Sequence, residues 1–116
     1  MCRYIPVLTF VGTGILQRKG KSMVKHIVLY TLKPGTDKPA AIALIRSVLE
    51  PLVGVIPGLK HLEIRAAYEG GMDYALYSEF ESRQALKDYA EHPAHLAAKA
   101  HFWEMLDSRV CADYDV

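Results

Sequence analysis

Tyr89-Ala90-Glu91-His92-Pro93-Ala94-His95 places two imidazoles and a phenol within seven residues, around one proline. An imidazole titrates in the range where a general base works, and a phenol donates a hydrogen bond to an oxyanion as its charge develops. Proline disfavours helix for the residue before it and suits the first turn of a new helix. The stretch therefore predicts a corner where one helix stops and another begins. Helices of small domains pack their apolar faces inward, so a polar corner between two of them makes a wall for a ligand pocket.

Other elements must bring that corner against a partner wall. Residues 23–33 read as a strand in which Val24, His26, Val28, Tyr30 and Leu32 alternate with Lys25, Ile27, Leu29, Thr31 and Lys33. Both faces carry apolar groups, so both must be covered. Pro34-Gly35-Thr36-Asp37 is a turn with Asp37 as a helix cap. The helix after it runs to about Val55, with Ile42, Ile45, Leu49, Leu52, Val53 and Ile56 on one stripe and a kink or break at Pro51. A second strand, 59–67, sets Leu62, Ile64 and Ala66 against His61, Glu63 and Arg65. After a turn at Glu69-Gly70-Gly71-Met72, a third strand, 73–81, sets Tyr74, Leu76, Ser78 and Phe80 against Ala75, Tyr77 and Glu79. Ser82 caps a helix to Glu91. Beyond the corner a helical stretch, Ala94 to Leu106, carries Leu96, Phe102, Trp103 and Leu106, and a last strand, Ser108 to Asp115, alternates Val110, Ala112 and Tyr114.

The order strand, helix, strand, strand, helix, strand predicts an α+β, ferredoxin-like βαββαβ fold, a four-stranded antiparallel sheet with its helices on one face. The other face would expose Ile27, Leu29 and Ala75. A patch of that kind implies a partner, most simply a second copy packed sheet to sheet about a two-fold axis. The pattern thus predicts a homodimer.

Composition narrows the function. The chain has 116 residues, 51% apolar, with 14 basic and 13 acidic side chains and a net charge of +1. That is one domain without the basic excess of a nucleic-acid binder. Arg18-Lys19-Gly20-Lys21 is too short to argue otherwise. The two cysteines, Cys2 and Cys111, lack disulfide-framework or zinc spacing and fit two reduced thiols in a cytoplasmic protein. Tyr4 to Leu16 is apolar but too short and too interrupted by Pro6, Gly12 and Gly14 to span a bilayer, and it lacks signal-peptide flanks. No membrane partner is expected. Residues 1–22 read as an N-terminal extension, from a start assigned too early or forming an extra edge strand at Ile5 to Val11; the domain proper is 23–116.

The spaced motifs Val24-Lys25-His26-Ile27-Val28-Leu29, Ile56-Pro57-Gly58-Leu59, Tyr74, Phe80-Glu81-Ser82, Leu86, Tyr89, His92-Pro93-Ala94-His95 and Asp113-Tyr114 resemble the stress-responsive A/B barrel family, the dimeric alpha/beta barrel or Dabb domain. The resemblance covers roughly residues 23–115 and implies a ferredoxin-like dimer. In a plant polyketide cyclase of that family the catalytic tyrosine and histidine lie in the same Tyr-x-x-His-Pro-Ala-His context, which implies Tyr89 and His95 here. A pocket histidine of its first strand corresponds to His26. Near the third strand the cyclase has a histidine where this chain carries Tyr74.

The enzymatic reading makes His95 a base that takes a proton from a carbon flanked by carbonyls, and Tyr89 the donor to the resulting oxyanion. The candidate ligand-binding residues are His26, Val28, Tyr30, Tyr74, Leu76, His92 and Phe102, mostly apolar with a few convergent polar groups. The function expected is binding of a small organic ligand between sheet and helices, with cofactor-independent cyclase or lyase chemistry. The rival reading is a non-enzymatic, structural or stress-protective homodimer in which the corner is architectural and His92 fixes it by a hydrogen bond. A haem- or oxygen-using monooxygenase would need a cofactor or a reactive aromatic substrate, and nothing in the chain specifies either; no cofactor is expected. Nor is a metal: zinc needs at least three protein ligands, and His92 and His95 have no third at a matching spacing.

Overall fold

The computed structural model describes residues 23–116, so both readings of the N-terminal extension lie outside the described residues. Strands β1 (Val24–Leu32), β2 (Leu59–Ala66), β3 (Tyr74–Phe80) and β4 (Leu106–Asp115) form one sheet. Their order is β2-β3-β1-β4, antiparallel throughout. Three helices, α1 (Lys38–Leu49), α2 (Arg83–Glu91) and α3 (Pro93–Ala100), complete the α+β fold. The helical stretch after the corner is shorter than its apolar pattern predicts: α3 ends at Ala100, a 3-10 turn spans Trp103–Met105, and β4 begins at Leu106.

Local chemistry sets these boundaries. The Asp37 carboxylate accepts the Ala40 N–H at 3.2 Å and starts α1. Pro51 lacks the N–H that would continue the helix, so α1 ends at Leu49 and a 3-10 turn covers Glu50–Leu52. From that turn the Glu50 carboxylate accepts the Ile64 N–H of the edge strand β2 at 3.0 Å. Gly58 has a φ of +87°, and a Cβ there would lie 2.6 Å from the Ala85 Cβ of α2. Both the backbone conformation and the close approach of α2 therefore require glycine.

The helices bury the face carrying Val24, Val28, Ile64, Tyr74, Leu76 and Phe80, with Ile45 and Leu49 of α1 packed over it. Tyr74 is wholly buried and stacked on Tyr30 at 4.7 Å between ring centroids. Its hydroxyl has no hydrogen-bond partner. A buried, unmet hydroxyl costs about 1–3 kcal/mol. Tyr74→Phe should therefore raise stability by about 1 kcal/mol, read as an upward shift of the urea midpoint at unchanged slope.

The opposite face forms cross-strand rows. Ala75, Leu29 and Val110 stand side by side; so do Tyr77, Ile27 and Ala112; so do Glu79, Lys25 and Tyr114. The first two rows are largely apolar, and Val110 is 58% exposed. The third row is polar, with Lys25 Nζ 2.6 Å from the Tyr77 hydroxyl and 3.3 Å from Glu79. Ile27, Leu29 and Ala75, expected to be exposed, are half-buried in the single subunit, and the outward apolar area they begin extends onto β4. Among the described residues no helix is long and apolar enough to cross a membrane. Cys111 faces inward, packs beside the core and is not a free thiol, which corrects the expectation of two reduced cysteines.

Candidate functional site

The helix–proline–helix corner is built on His92. Its N–H donates to the Tyr89 carbonyl at 3.1 Å, closing α2, and its Nδ1 accepts the Ala94 N–H at 3.0 Å, opening α3. One residue therefore serves both helix ends, its backbone N–H closing α2 and its imidazole capping α3. Because His92 fixes the turn, Tyr89 at the end of α2 and His95 in the first turn of α3 meet as a pair, with ring centroids 4.2 Å apart. Phe80 of β3 braces Tyr89 edge-on at 5.0 Å and stands 6.2 Å from His26 of β1.

The rings of Tyr89, His95 and His26 border a cavity of about 250 Å³ between the β1–β4 side of the sheet and helices α2 and α3. Its apolar surface comes from residues such as Leu49, Leu76, Leu86 and Phe102; its polar groups include His26, Tyr30, Tyr89, His95, Arg109 and Asp113. Size and lining suit a guest smaller than most drug molecules. On this side the inward face of β4 is mostly charged, with Arg109, Asp113 and Asp115 beside Cys111.

Electrostatics divide the polar groups into donors and acceptors. His95 Nδ1 lies 3.4 Å from the Ala90 carbonyl, a contact in which the ring N–H donates and Nε2 keeps its lone pair. Burial disfavours the imidazolium and pushes the His95 pKa down to about 4, with the positive charges of Lys99 and the neighbouring imidazoles adding to the effect. Burial pushes the Tyr89 phenol well above its ordinary range and the Tyr30 phenol up to about 12. At neutral pH the site thus sets a neutral imidazole beside two protonated phenols. His26 Nδ1 hydrogen-bonds the Asp113 carboxylate, both groups being nearly buried. A carboxylate accepts only, so Nδ1–H donates and the ring orientation is fixed.

Of the residues singled out from sequence, His26, Tyr30, Leu76, Tyr89, His95 and Phe102 line the cavity. Val28 and Tyr74 lie in the core beneath the helices, and His92 serves the corner. Sequence reasoning placed neither Arg109 nor Asp113 in the site, although Asp113 stands in one of the family motifs. The available signal was the second alternation of the last strand: Arg109, Cys111, Asp113 and Asp115 occupy every other position, interleaved with the apolar residues that face outward. Among the described residues no group of three histidines, cysteines or carboxylates could hold a metal ion.

Several known proteins share this fold. A dimeric protein of ferredoxin-like fold from Bacteroides fragilis superposes with a TM-score of 0.74 at 34% identity, covering 81% of this chain and 96% of that one. A hydroxynitrile lyase from Passiflora edulis shares the fold with a TM-score of 0.71 at 19% identity, covering 83% and 94%. An uncharacterized protein of Streptomyces coelicolor is 34% identical over 98 residues, 80% of this chain and 99% of its own length. The description of the stress responsive A/B barrel domain matches residues 24–116. That match over most of the chain, together with the 34% identical relative, shows that the chain belongs to the stress-responsive A/B barrel (Dabb) domain family.

Proposed function

We propose that the protein binds a small organic molecule in this cavity and performs cofactor-independent cyclase or lyase chemistry on it, with Tyr89 and His95 as the reacting pair. The observation that carries this reading is the contact of an unprotonated imidazole with a protonated phenol at the edge of an otherwise apolar cavity. His95 accepts a proton at Nε2 from an acidic C–H or O–H of the guest. Its low basicity means that the imidazolium is stable only while a negative charge forms beside it, on the enolate or alkoxide of the guest. Tyr89 donates its hydroxyl proton in a hydrogen bond to that oxygen, in a setting where burial strengthens the interaction. His26, held by Asp113, positions a second oxygen of the guest. The fold is compatible with lyase chemistry, since another protein of this fold is a hydroxynitrile lyase.

The same reading makes the protein a homodimer, joined through the outward apolar rows of β1, β3 and β4, with a cavity on the helix side of each subunit. The Bacteroides fragilis relative is described as dimeric, which supports this assembly.

A thermal-shift screen of small organic molecules tests the site, because a guest that binds only the native state raises the midpoint by mass action. Tyr89→Phe and His95→Gln should each weaken the best compound about tenfold, the cost of one hydrogen bond of about 1.4 kcal/mol. Unchanged affinity in both variants would remove the pair from the site. A large loss of stability with no change in affinity would favour the architectural reading of the corner.

A further inference from the structure

Three donor groups at the cavity have no partner. Arg109 of β4 lies directly across from Tyr30 of β1 in the strand register, so both side chains project on the same, helix-facing side. Both line the cavity, as does Tyr89. Among the described residues neither phenol hydroxyl nor the guanidinium makes a hydrogen bond or an ion pair. The carboxylates on the same strand face are committed elsewhere, Asp113 to His26 and Asp115 to Arg83. Glu91 lines the same cavity, and Glu104 and Asp107 border a shallow neighbouring hollow with Arg109, but none pairs with it.

A half-buried guanidinium without a counter-charge is costly, and desolvation pushes its pKa down. The rest of the lining does not offset it. Four cationic side chains, Arg83, Lys87, Lys99 and Arg109, border the cavity against two carboxylates, Glu91 and Asp113. With Arg83 paired to Asp115 and Asp113 held by His26, the lining leaves Lys87, Lys99 and Arg109 against Glu91 and is short of negative charge. A guanidinium presents a planar fork that matches a carboxylate with two parallel hydrogen bonds.

We propose that the guest is a small organic carboxylate, its anionic end paired with Arg109 across from Tyr30 and its apolar body against Leu76, Leu86 and Phe102. This rests on the reading of the cavity as a ligand site and specifies the chemical class it takes. Arg109 binds rather than reacts: it fixes which end of the guest faces β4, leaving the other end to the Tyr89–His95 pair.

Benzoate, its neutral analogue benzamide, and benzyl alcohol provide the probes. Each is titrated into the full-length protein and into Arg109→Gln and Arg109→Lys, following the aromatic and histidine side-chain resonances. Benzoate should bind at least tenfold more tightly than benzamide. Arg109→Gln should abolish that preference, and Arg109→Lys should keep part of it. The ratio is read within each variant, so a change in overall stability does not disturb it. Without any guest, Arg109→Gln should melt no lower than the parent, since the substitution removes an unpaired charge. Equal affinity for benzoate and benzamide, or a preference that survives Arg109→Gln, would overturn the carboxylate assignment and leave the cavity as a ligand site. If none of the three probes perturbs resonances of Tyr30, Tyr89 or His95, the cavity reading fails with it.

Discussion

Val110→Asp should convert the protein from dimer to monomer at micromolar concentration. Val110 sits on the outward face of the edge strand β4 and is 58% exposed in the single subunit, so its replacement leaves the core of that subunit untouched. Its row neighbours are Leu29 and Ala75, and Ile27 and Ala112 lie in the next row, so Val110 falls within the continuous apolar area of this face. A two-fold interface uses the same patch twice, so one substitution buries two unpaired carboxylates. Each uncompensated buried charge costs about 3–5 kcal/mol, so the two together weaken association by at least about ten-thousandfold. Sedimentation velocity should show the parent as a dimer, Val110→Ala as a dimer and Val110→Asp as a monomer with a native circular dichroism spectrum. A Val110→Asp dimer would move the interface off this face.

The second large effect is a pH dependence carried by His95. An exposed imidazole titrates near 6.5, whereas in the folded protein His95 is pushed down to about 4. As the pH falls through this interval, the unfolded chain takes up a proton that the native state refuses. Stability from this group is fully present above pH 6.5 and is lost as the pH falls toward 4. At about 1.4 kcal/mol per pH unit, and discounted for the partial exposure of the ring, the loss amounts to about 2 kcal/mol. Carboxylates held low by their partners, among them Asp115 beside Arg83 and Asp73 beside the Leu32 N–H and Lys38, lose their contributions at lower pH. His95→Gln isolates the imidazole. Urea titrations between pH 7 and 4.5 should give a stability curve about 2 kcal/mol flatter for the variant than for the parent. Parallel curves would mean that the ring titrates normally and is not desolvated. The same low value implies that ligand binding or turnover dependent on unprotonated His95 shows no inflection near pH 6.5.

The corner was legible because proline and its flanking residues act locally. Pro93 cannot continue α2, and the His92 side chain caps the helix that follows, so the corner follows from nearest neighbours, whereas the roles of Tyr89 and His95 came from the family resemblance. The strands were legible by their period of two. What alternation does not reveal is where a helix lies over the inward face. Val28 and Leu76 face each other across β1 and β3, both inward, yet only Leu76 reaches the cavity; Val28 is 1% exposed beneath the helices. Tyr74 is likewise inward and wholly enclosed. The polar wall escaped notice for a related reason. In β4 the apolar alternation of Val110, Ala112 and Tyr114 belongs to the outer face, so the positions between them drew no attention, although Arg109 and Asp113 there border the cavity.

The most direct test of the account is a crystal structure of the protein grown with the tightest compound from the screen. The account predicts the compound between β1, β4 and the α2–α3 corner, with one of its oxygens within hydrogen-bonding distance of the Tyr89 hydroxyl and a second polar atom against His95 Nε2. A compound bound elsewhere on the protein, with both rings closed upon each other and nothing between sheet and corner, would contradict it.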